Sequence, residues 1–504
     1  MYDELKTLLN SVHLHTSLGH SKRNEAFLRQ IENLCKYPGA TAAGSNNSMP
    51  DAMAAYRFAN NDKVDLASLR QTRMATALDA CLKDETLLVL NDISVLNYYR
   101  HNNKDDRRPV GDGLIQGYEY MCCLGVSLES ERPIGVLHDC LITADGPDDK
   151  DQIDYHKDPH FNMISKADPD RLECNHKHMM NCHVQHIADH APGRHIVQVA
   201  DREFDDHFIF EACRSKNSDF VIRSNARRNV QISSDLDWLP EDCQTKKYEG
   251  LPRLENHVCT SMQALVENVP VVPYKSIPLD ARGRLTEEKS AACHAHVSVG
   301  LFSVTLYRKA KRNKQYLSAR DYVPLNVVVI KEENPPESRV PIQWVLYTTL
   351  SIDTADNIQK IVRIYELRWL IECFFKYLKS GFRLEDLRYD NARKTAIHLV
   401  VTTIAAVFLI NLKAQIGLPC SSSKLSADDY KRVKHAAKNP DDQSIPEELR
   451  FFALLATRGG WRGRKSDPIS PMTLIKGFKF ISEAVEMLRS ASSLIQSVAE
   501  KLKT

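Results

Sequence analysis

The stretch 361–379, IVRIYELRWLIECFFKYLK, decides how the rest of the chain is read. Placed on a helix at roughly 100° per residue, it brings Tyr365, Arg368, Glu372, Lys376 and Lys379 within about 60° of one another. Leu367, Leu370, Ile371, Phe374, Phe375 and Leu378 fall on the opposite side. The polar face therefore carries one carboxylate among cations and a phenol. A lone acid flanked by Arg and Lys suits a site that holds a divalent metal together with a phosphate. The same spacing also suits a plain surface helix with Glu372 paired to Arg368 or Lys376 at i±4.

Outward from this helix, IQWVLYTTL (342–350) reads as a strand. Before it, residues 230 to about 340 alternate in the β manner, as in HAHVSVGLFSVTLYR (294–308) and PLNVVVIKEE (324–333). They predict an inserted, mostly β subdomain that carries the basic run RKAKRNKQY (308–316). SDFVIRSNARR (218–228) is a strand running into a basic cluster, and HIVQVAD (195–201) is an apolar strand ending on an acid. TLLVLND (86–92) has the same form, followed by GYEYMCCLGVSLE (117–129) and RPIGVLHDCLIT (132–143), which read as an antiparallel meander. A helix is expected over Asn175–His190, after a polar loop at 145–170. Residues 1–80 read as short helices around the turn PGATAAGSNNSMP (38–50), either a compact DNA-binding module or a helical cap on the next domain. Beyond residue 390 the pattern is helical, interrupted by TRGGWRGRKSDPISP (457–471).

The totals set bounds. A chain of 504 residues with 43% hydrophobic and 26% charged residues is long enough for two or more globular domains. A net charge of +2 means that any basic surface is local and balanced by acid elsewhere. Thirteen scattered cysteines and an opening, MYDELKTLLN, without a leader pattern favour free thiols in a reducing cytoplasm. The apolar run 399–412 is shorter than a span of about 20 residues and reads as a buried helix, so no membrane is expected.

Two strands thus each deliver an aspartate, Asp92 and Asp201, and a helix delivers Glu372. Strand ends in open sheets are where sites form. Three hard oxygen donors suit Mg²⁺ or Mn²⁺, and two such ions about 4 Å apart serve phosphodiester chemistry. Either aspartate alone also suits a turn or helix cap.

The spacing Tyr365-x2-Arg368-x3-Glu372-x6-Lys379 resembles the signature of the insertion-sequence-four family of DDE transposases. VLNDIS around Asp92 and VADREFD around Asp201 are similar to that family's two aspartate motifs, and FVIRS (220–224) follows as it does there. AYRF (55–58), with Arg57, resembles part of the family's N-terminal DNA-binding module, and GGWRGRKSDPISPMTLIKGF (459–478) its C-terminal pairing region. The resemblance implies an α/β fold: a ribonuclease-H-like catalytic core over residues 81–390, with the β-rich insertion at about 230–340. A helical DNA-binding region (1–80) and a helical dimerisation region (391–504) would flank it. Asp92, Asp201 and Glu372 would bind Mg²⁺, or Mn²⁺, and carry catalysis. Tyr365, Arg368 and Lys379 would hold DNA phosphates, and Trp344, 28 residues before Glu372, would stack on a flipped base. Trp344 also suits a core position in its strand. Arg223, with Arg227 and Arg228, would touch the DNA backbone or form a solvated charged face.

The implied partners are double-stranded DNA at transposon terminal repeats, target DNA, and a second copy of the chain in a homodimeric DNA complex. The implied place is the bacterial-type cytoplasm, at the nucleoid. CNHKHMMNCHVQH (174–186) is dense in zinc-type donors, but its spacing fits no closed pair-and-pair site and reads as a polar helix with a thiol-bearing face. The sequence expectation is a cut-and-paste DNA transposase. The alternatives are a metal-dependent nuclease without strand transfer, an inactive DNA-binding regulator, and a zinc-dependent structural protein.

Overall fold

Four helices open the chain: α1 (Tyr2–His15), α2 (Ser21–Lys36), α3 (Met49–Ala59) and α4 (Leu66–Asp79). Apolar residues at i, i+4 and i+7 (Phe27, Ile31, Leu34) give α2 a single buried face. Asp65 caps α4 by accepting from the Ser68 amide at 2.8 Å. The computed structural model describes residues 2–38, 49–155 (apart from 84, 112 and 114), 175–244, 254–278, 294–307, 322–335, 340–415, 427–462 and scattered positions beyond. The basic run 308–316, Cys174, most of the turn 38–50 and most of the loop 457–471 lie outside the described residues.

The chain is mixed α/β and divides into two compact units, residues 1–154 with 369–504, and residues 155–368. In the first unit the helices are followed by β1 (Leu87–Asn97), β2 (Arg108–Val110), β3 (Ile115–Ser127), β4 (Arg132–Thr143) and β5 (Gly146–Pro147). They hydrogen-bond in the order β5-β4-β3-β1, with β2 on β3, all antiparallel, as the meander pattern predicts. One expectation needs correction: β1 does not stop at Asp92. Its register with β3 runs unbroken from Leu87↔Ser127 through Asp92↔Cys122 to Asn97↔Gly117. The apolar positions of ISVLN after the acid sustain the strand. At its far end only glycine fits, because a Cβ on Gly117 would lie 1.9 Å from the Leu96 carbonyl oxygen. Cys122 pairs in turn with Asp139 of β4, so Asp92, Cys122 and Asp139 form one transverse row.

Asp139 is buried, and α4 supplies its counter-charges. Arg73 grips both carboxylate oxygens through Nη1 and Nη2, at 2.7 and 2.8 Å, and Arg70 Nε reaches Oδ1 at 2.9 Å. The Tyr120 hydroxyl donates to the same group at 2.9 Å. Burial alone would raise the Asp139 carboxyl, but the two guanidinium groups outweigh it and hold it well below the usual carboxylate range. Arg70 also pairs with Asp148 at 2.8 Å, where burial prevails and pushes the carboxyl up to about 6. α4 packs on β4.

The second unit holds α5 (His176–His190), β6 (Ile196–Ala200), α6 (His207–Ser215), β7 (Asp219–Arg223), β8 (Asn229–Ser233), β9 (His257–Ser261) and α7 (Met262–Asn268). It continues with β10 (Val272–Pro278), β11 (His294–Tyr307), β12 (Tyr322–Glu332), β13 (Gln343–Thr348) and α8 (Ala355–Leu367). β6 and β7 are parallel, joined across α6. The rest is antiparallel in the order β7-β13-β12-β11-β8-β9, with β10 also on β11. The β-type runs between 230 and 340 therefore extend the same sheet through β13 rather than forming one of their own.

Returning to the first unit, α9 (Trp369–Lys376) leads into a π-helical turn (Tyr377–Gly381). Then come α10 (Ala392–Gln415), α11 (Ala427–Ala436) and α12 (Glu447–Arg458). α10 packs on β4, α2 and α4. The helix is longer than the apolar run suggested, and by length and composition alone it could cross a membrane. Yet 94% of its most apolar window is buried inside the protein, so the buried-helix reading holds. Lys104 is buried beside it, with its ammonium 2.9 Å from Thr395 Oγ1 and 4.6 Å from the centre of the Tyr98 ring.

Two outcomes follow for stability. Arg73→Ala leaves Asp139 with half its counter-charge in an apolar interior, and should lower unfolding free energy by about 3–5 kcal/mol in urea titrations. His398, buried in α10, is pushed down to about 4 by burial, while the unfolded imidazole titrates near 6.5. Protons therefore bind the unfolded chain first: stability is complete above that ordinary value and is lost as pH falls toward 4. His398→Leu should remove on the order of 2 kcal/mol from the wild-type difference between pH 7.5 and pH 5, measured by urea midpoints.

Candidate active site

β6 ends at Ala200 and delivers Asp201, half-buried, at the head of a 3₁₀ turn, Arg202–Phe204. Its Oδ1 accepts from the Arg202 amide at 2.7 Å. The cap reading of this aspartate is thus realised, but a carboxylate has about four lone-pair sites and this one keeps capacity for a cation. Arg223 closes β7, the parallel neighbour of β6. Its Nη1 lies 3.8 Å from Asp201 Oδ1, and its Nη2 donates to the Gln343 carbonyl at 3.3 Å. Arg223 is therefore within ion-pair distance of Asp201 while its side chain stays partly exposed.

Tyr365, near the end of α8, is buried rather than on a wet face. Its ring meets that of Trp344 edge-on, with centroids 5.2 Å apart and planes at 64°. Burial pushes the phenol up to about 12, with Asp201 adding to the shift and Arg368 and Arg223 opposing it. Trp344 lies in β13 opposite Ile330 and is half-buried, so it is neither sealed in the core nor free of it. Within this one unit the fold gathers an acid, two cations, a phenol and an indole: Asp201, Arg223, Arg368, Tyr365 and Trp344.

The first unit holds Asp92, Glu372 and Lys379. Asp92 is half-buried within β1, and its Oδ1 accepts from the Ile93 amide at 2.8 Å. α9 packs on β1, and its Phe375 ring meets Tyr120 of the neighbouring β3 with centroids 5.9 Å apart. Leu370, Ile371, Phe374 and Phe375 are its buried residues, as the amphipathic pattern requires, and Glu372 is half-buried. The helix does not keep α period to Lys379. The π-helical turn begins at Tyr377 and moves Lys379 off the angle that 100° per residue assigns it. Burial pushes the Lys379 ammonium down, with Glu385 acting against this. Glu385 accepts from the Asn97 amide at 2.9 Å, at the end of β1. Arg57 is exposed on α3.

The Cys/His segment requires a correction. α5 buries much of its polar side as well as its thiol-bearing one: His178, Met179, Met180, Asn181, Cys182, His183, Val184 and Ile187 are buried. His178 Nε2 lies 2.7 Å from the Tyr155 carbonyl oxygen, and His183 Nε2 lies 2.8 Å from the Tyr155 hydroxyl. His176 pairs with Glu203 at 2.6 Å. Sequence reasoning also missed Asp205, four residues after Asp201. The last acid in DREFD was its only signal.

Residues 174–408 match the family model described as "Transposase DDE domain". The matched span contains Asp201, Arg223, Trp344, Tyr365, Arg368, Glu372 and Lys379, and leaves Asp92 and the first four helices outside. Over that span the chain is similar to a transposase of the DDE class. This supports a role in transposition, a form of DNA recombination carried out on a mobile element.

The Trp344–Tyr365 contact can be measured directly. A double-mutant cycle of Trp344→Ala and Tyr365→Ala in urea unfolding should give a coupling of about 0.5–1.5 kcal/mol. Additive effects would mean that the edge-on contact contributes nothing.

Proposed function

We propose that the protein is a cut-and-paste DNA transposase of the insertion-sequence-four kind, for which the transposon-five transposase is the type. The observation that carries this reading is the cluster of Asp201, Arg223, Trp344, Tyr365 and Arg368 in one unit, inside the span that matches a transposase DDE domain. The order of elements supports a ribonuclease-H-like core: an antiparallel meander first, then a parallel pair joined by a helix. Residues 1–80 would bind DNA, with Arg57 among the contacts, 81–390 would form the catalytic region, and 391–504 would pair two copies of the chain.

Asp92, Asp201 and Glu372 would be the metal-holding carboxylates. Each is half-buried, accessible to a cation yet shielded enough for its charge to act, and the donor set is hard oxygen. Mg²⁺ or Mn²⁺, when bound, supplies Lewis-acid stabilisation of the attacking and leaving oxygens of a phosphodiester. The chain itself contributes position and charge. Arg368 and Lys379 would clamp phosphates of the transposon end, with the Tyr365 hydroxyl fixed among them as a neutral donor, because its phenol stays protonated at working pH. Half-buried Trp344 would offer a face to an extruded base. In the reaction sequence, water attacks the phosphodiester at the end and releases a 3′-hydroxyl. That hydroxyl attacks the opposite strand to close a hairpin, a second water reopens it, and the freed 3′-hydroxyl attacks target DNA.

The test uses a labelled duplex carrying the element's terminal repeat, with Mg²⁺. Asp92→Asn, Asp201→Asn and Glu372→Gln should each reduce cleavage to background while end binding survives. Wild-type binding without cutting, in Mg²⁺ and Mn²⁺ alike, would leave a regulator. Cutting with no joining of pre-cut ends would leave a nuclease.

A further inference from the structure

The 3₁₀ turn that opens with Asp201 carries a second acid inward. Asp205 sits one turn on, and its carboxylate is fully buried. Its oxygens are the centre of a separate network. Oδ2 accepts from the Ser224 hydroxyl at 3.1 Å and the Asn225 amide at 3.3 Å, and Oδ1 accepts from Arg228 Nε at 2.6 Å. Arg228 Nη2 also donates to the Asp205 carbonyl at 2.5 Å. Every one of these donors belongs to the turn that follows β7. That turn is held from its other side as well, since the Ser224 amide donates to the Val345 carbonyl of β13 at 2.7 Å.

Within the turn, Ala226 is left-handed, with φ of 56°. The Ser224 hydroxyl accepts from the Ala226 amide and the Asn225 side chain accepts from the Arg227 amide, both at 3.0 Å. A non-glycine residue in this region costs energy unless its surroundings impose it, and here a buried carboxylate does so. The two arginines of the cluster then part ways. Arg228 turns in to neutralise Asp205, with its guanidinium 5.9 Å from the centre of the Phe210 ring. Arg227 is exposed at the tip, four residues after Arg223.

We infer that Asp205 is a positioning residue: it fixes the 224–228 turn so that Arg227 is presented, pre-organised, to a DNA phosphate. This deepens the proposed function and rests on it. An exposed guanidinium on a fixed backbone forms charge-assisted bonds to phosphate without first ordering its loop. Arg228 cannot share that role, because leaving would strand a buried charge.

The experiment measures affinity of the full chain for a fluorescent duplex of arbitrary sequence across a salt series. Arg227→Ala should lower the slope of log affinity against log salt by about 0.9, the share of one phosphate contact. Asp205→Asn should lower it by the same amount, and the double variant by no more than either. Should Asp205→Asn fail to fold, Ala226→Val strains the same turn with the acid intact and should show the same loss, while Ala226→Gly should keep the wild-type slope. Additive losses, or an unchanged slope in Arg227→Ala, would overturn the inference while leaving the transposase reading standing. A wild-type chain with no salt-dependent DNA binding would remove that reading and this inference with it.

Discussion

The first unit depends on one buried ion cluster. Asp139 lies within β4, where an unpaired carboxylate would cost several kcal/mol. Two arginines from a single helix, three residues apart on α4, meet it. The pair is stabilising only because every oxygen and most donors are satisfied, Tyr120 included. This fastens the N-terminal helices to the meander more specifically than apolar packing could, since apolar faces tolerate sliding and a bidentate guanidinium does not.

How much of this could be read in advance follows the physics of each signal. Apolar runs mark β3, β4, β6, β7, β11, β12 and β13 close to their observed places, because both faces of these strands are largely covered. The helix over His176–His190 was equally plain, capped by Asn175. What escaped was whatever depends on partners distant in sequence. Asp92 looked terminal because an acid follows LLVL, yet pairing with β3 carries the strand five residues further. Tyr365 looked wet on a helical wheel, but the wheel knows nothing of Trp344. Nor does it register that the helix changes period at Tyr377. Nothing local marks Asp139 as the partner of Arg70 and Arg73, which lie 69 and 66 residues away in sequence.

Within the second unit, charge and burial are graded. Asp201 is half-buried, Tyr365 is sealed, and Arg223 is already engaged with Asp201. An arginine already paired to an acid steadies the orientation of that acid before any ligand arrives. Motif residues in this chain are therefore not equivalent contact points: some would touch DNA, and others set the state of those that do.

The transverse row Asp92–Cys122–Asp139 has one more consequence. In an antiparallel sheet a slip of one residue turns every side chain to the opposite face. The arginine grip on Asp139 fixes which residue of β4 faces α4, and through Cys122 it fixes which residue of β1 stands in line. The clamp thus acts as an alignment pin for the strand that bears Asp92. An error in pairing while the chain folds would leave a buried acid without its arginines, and so would be rejected before the strand could mature out of step.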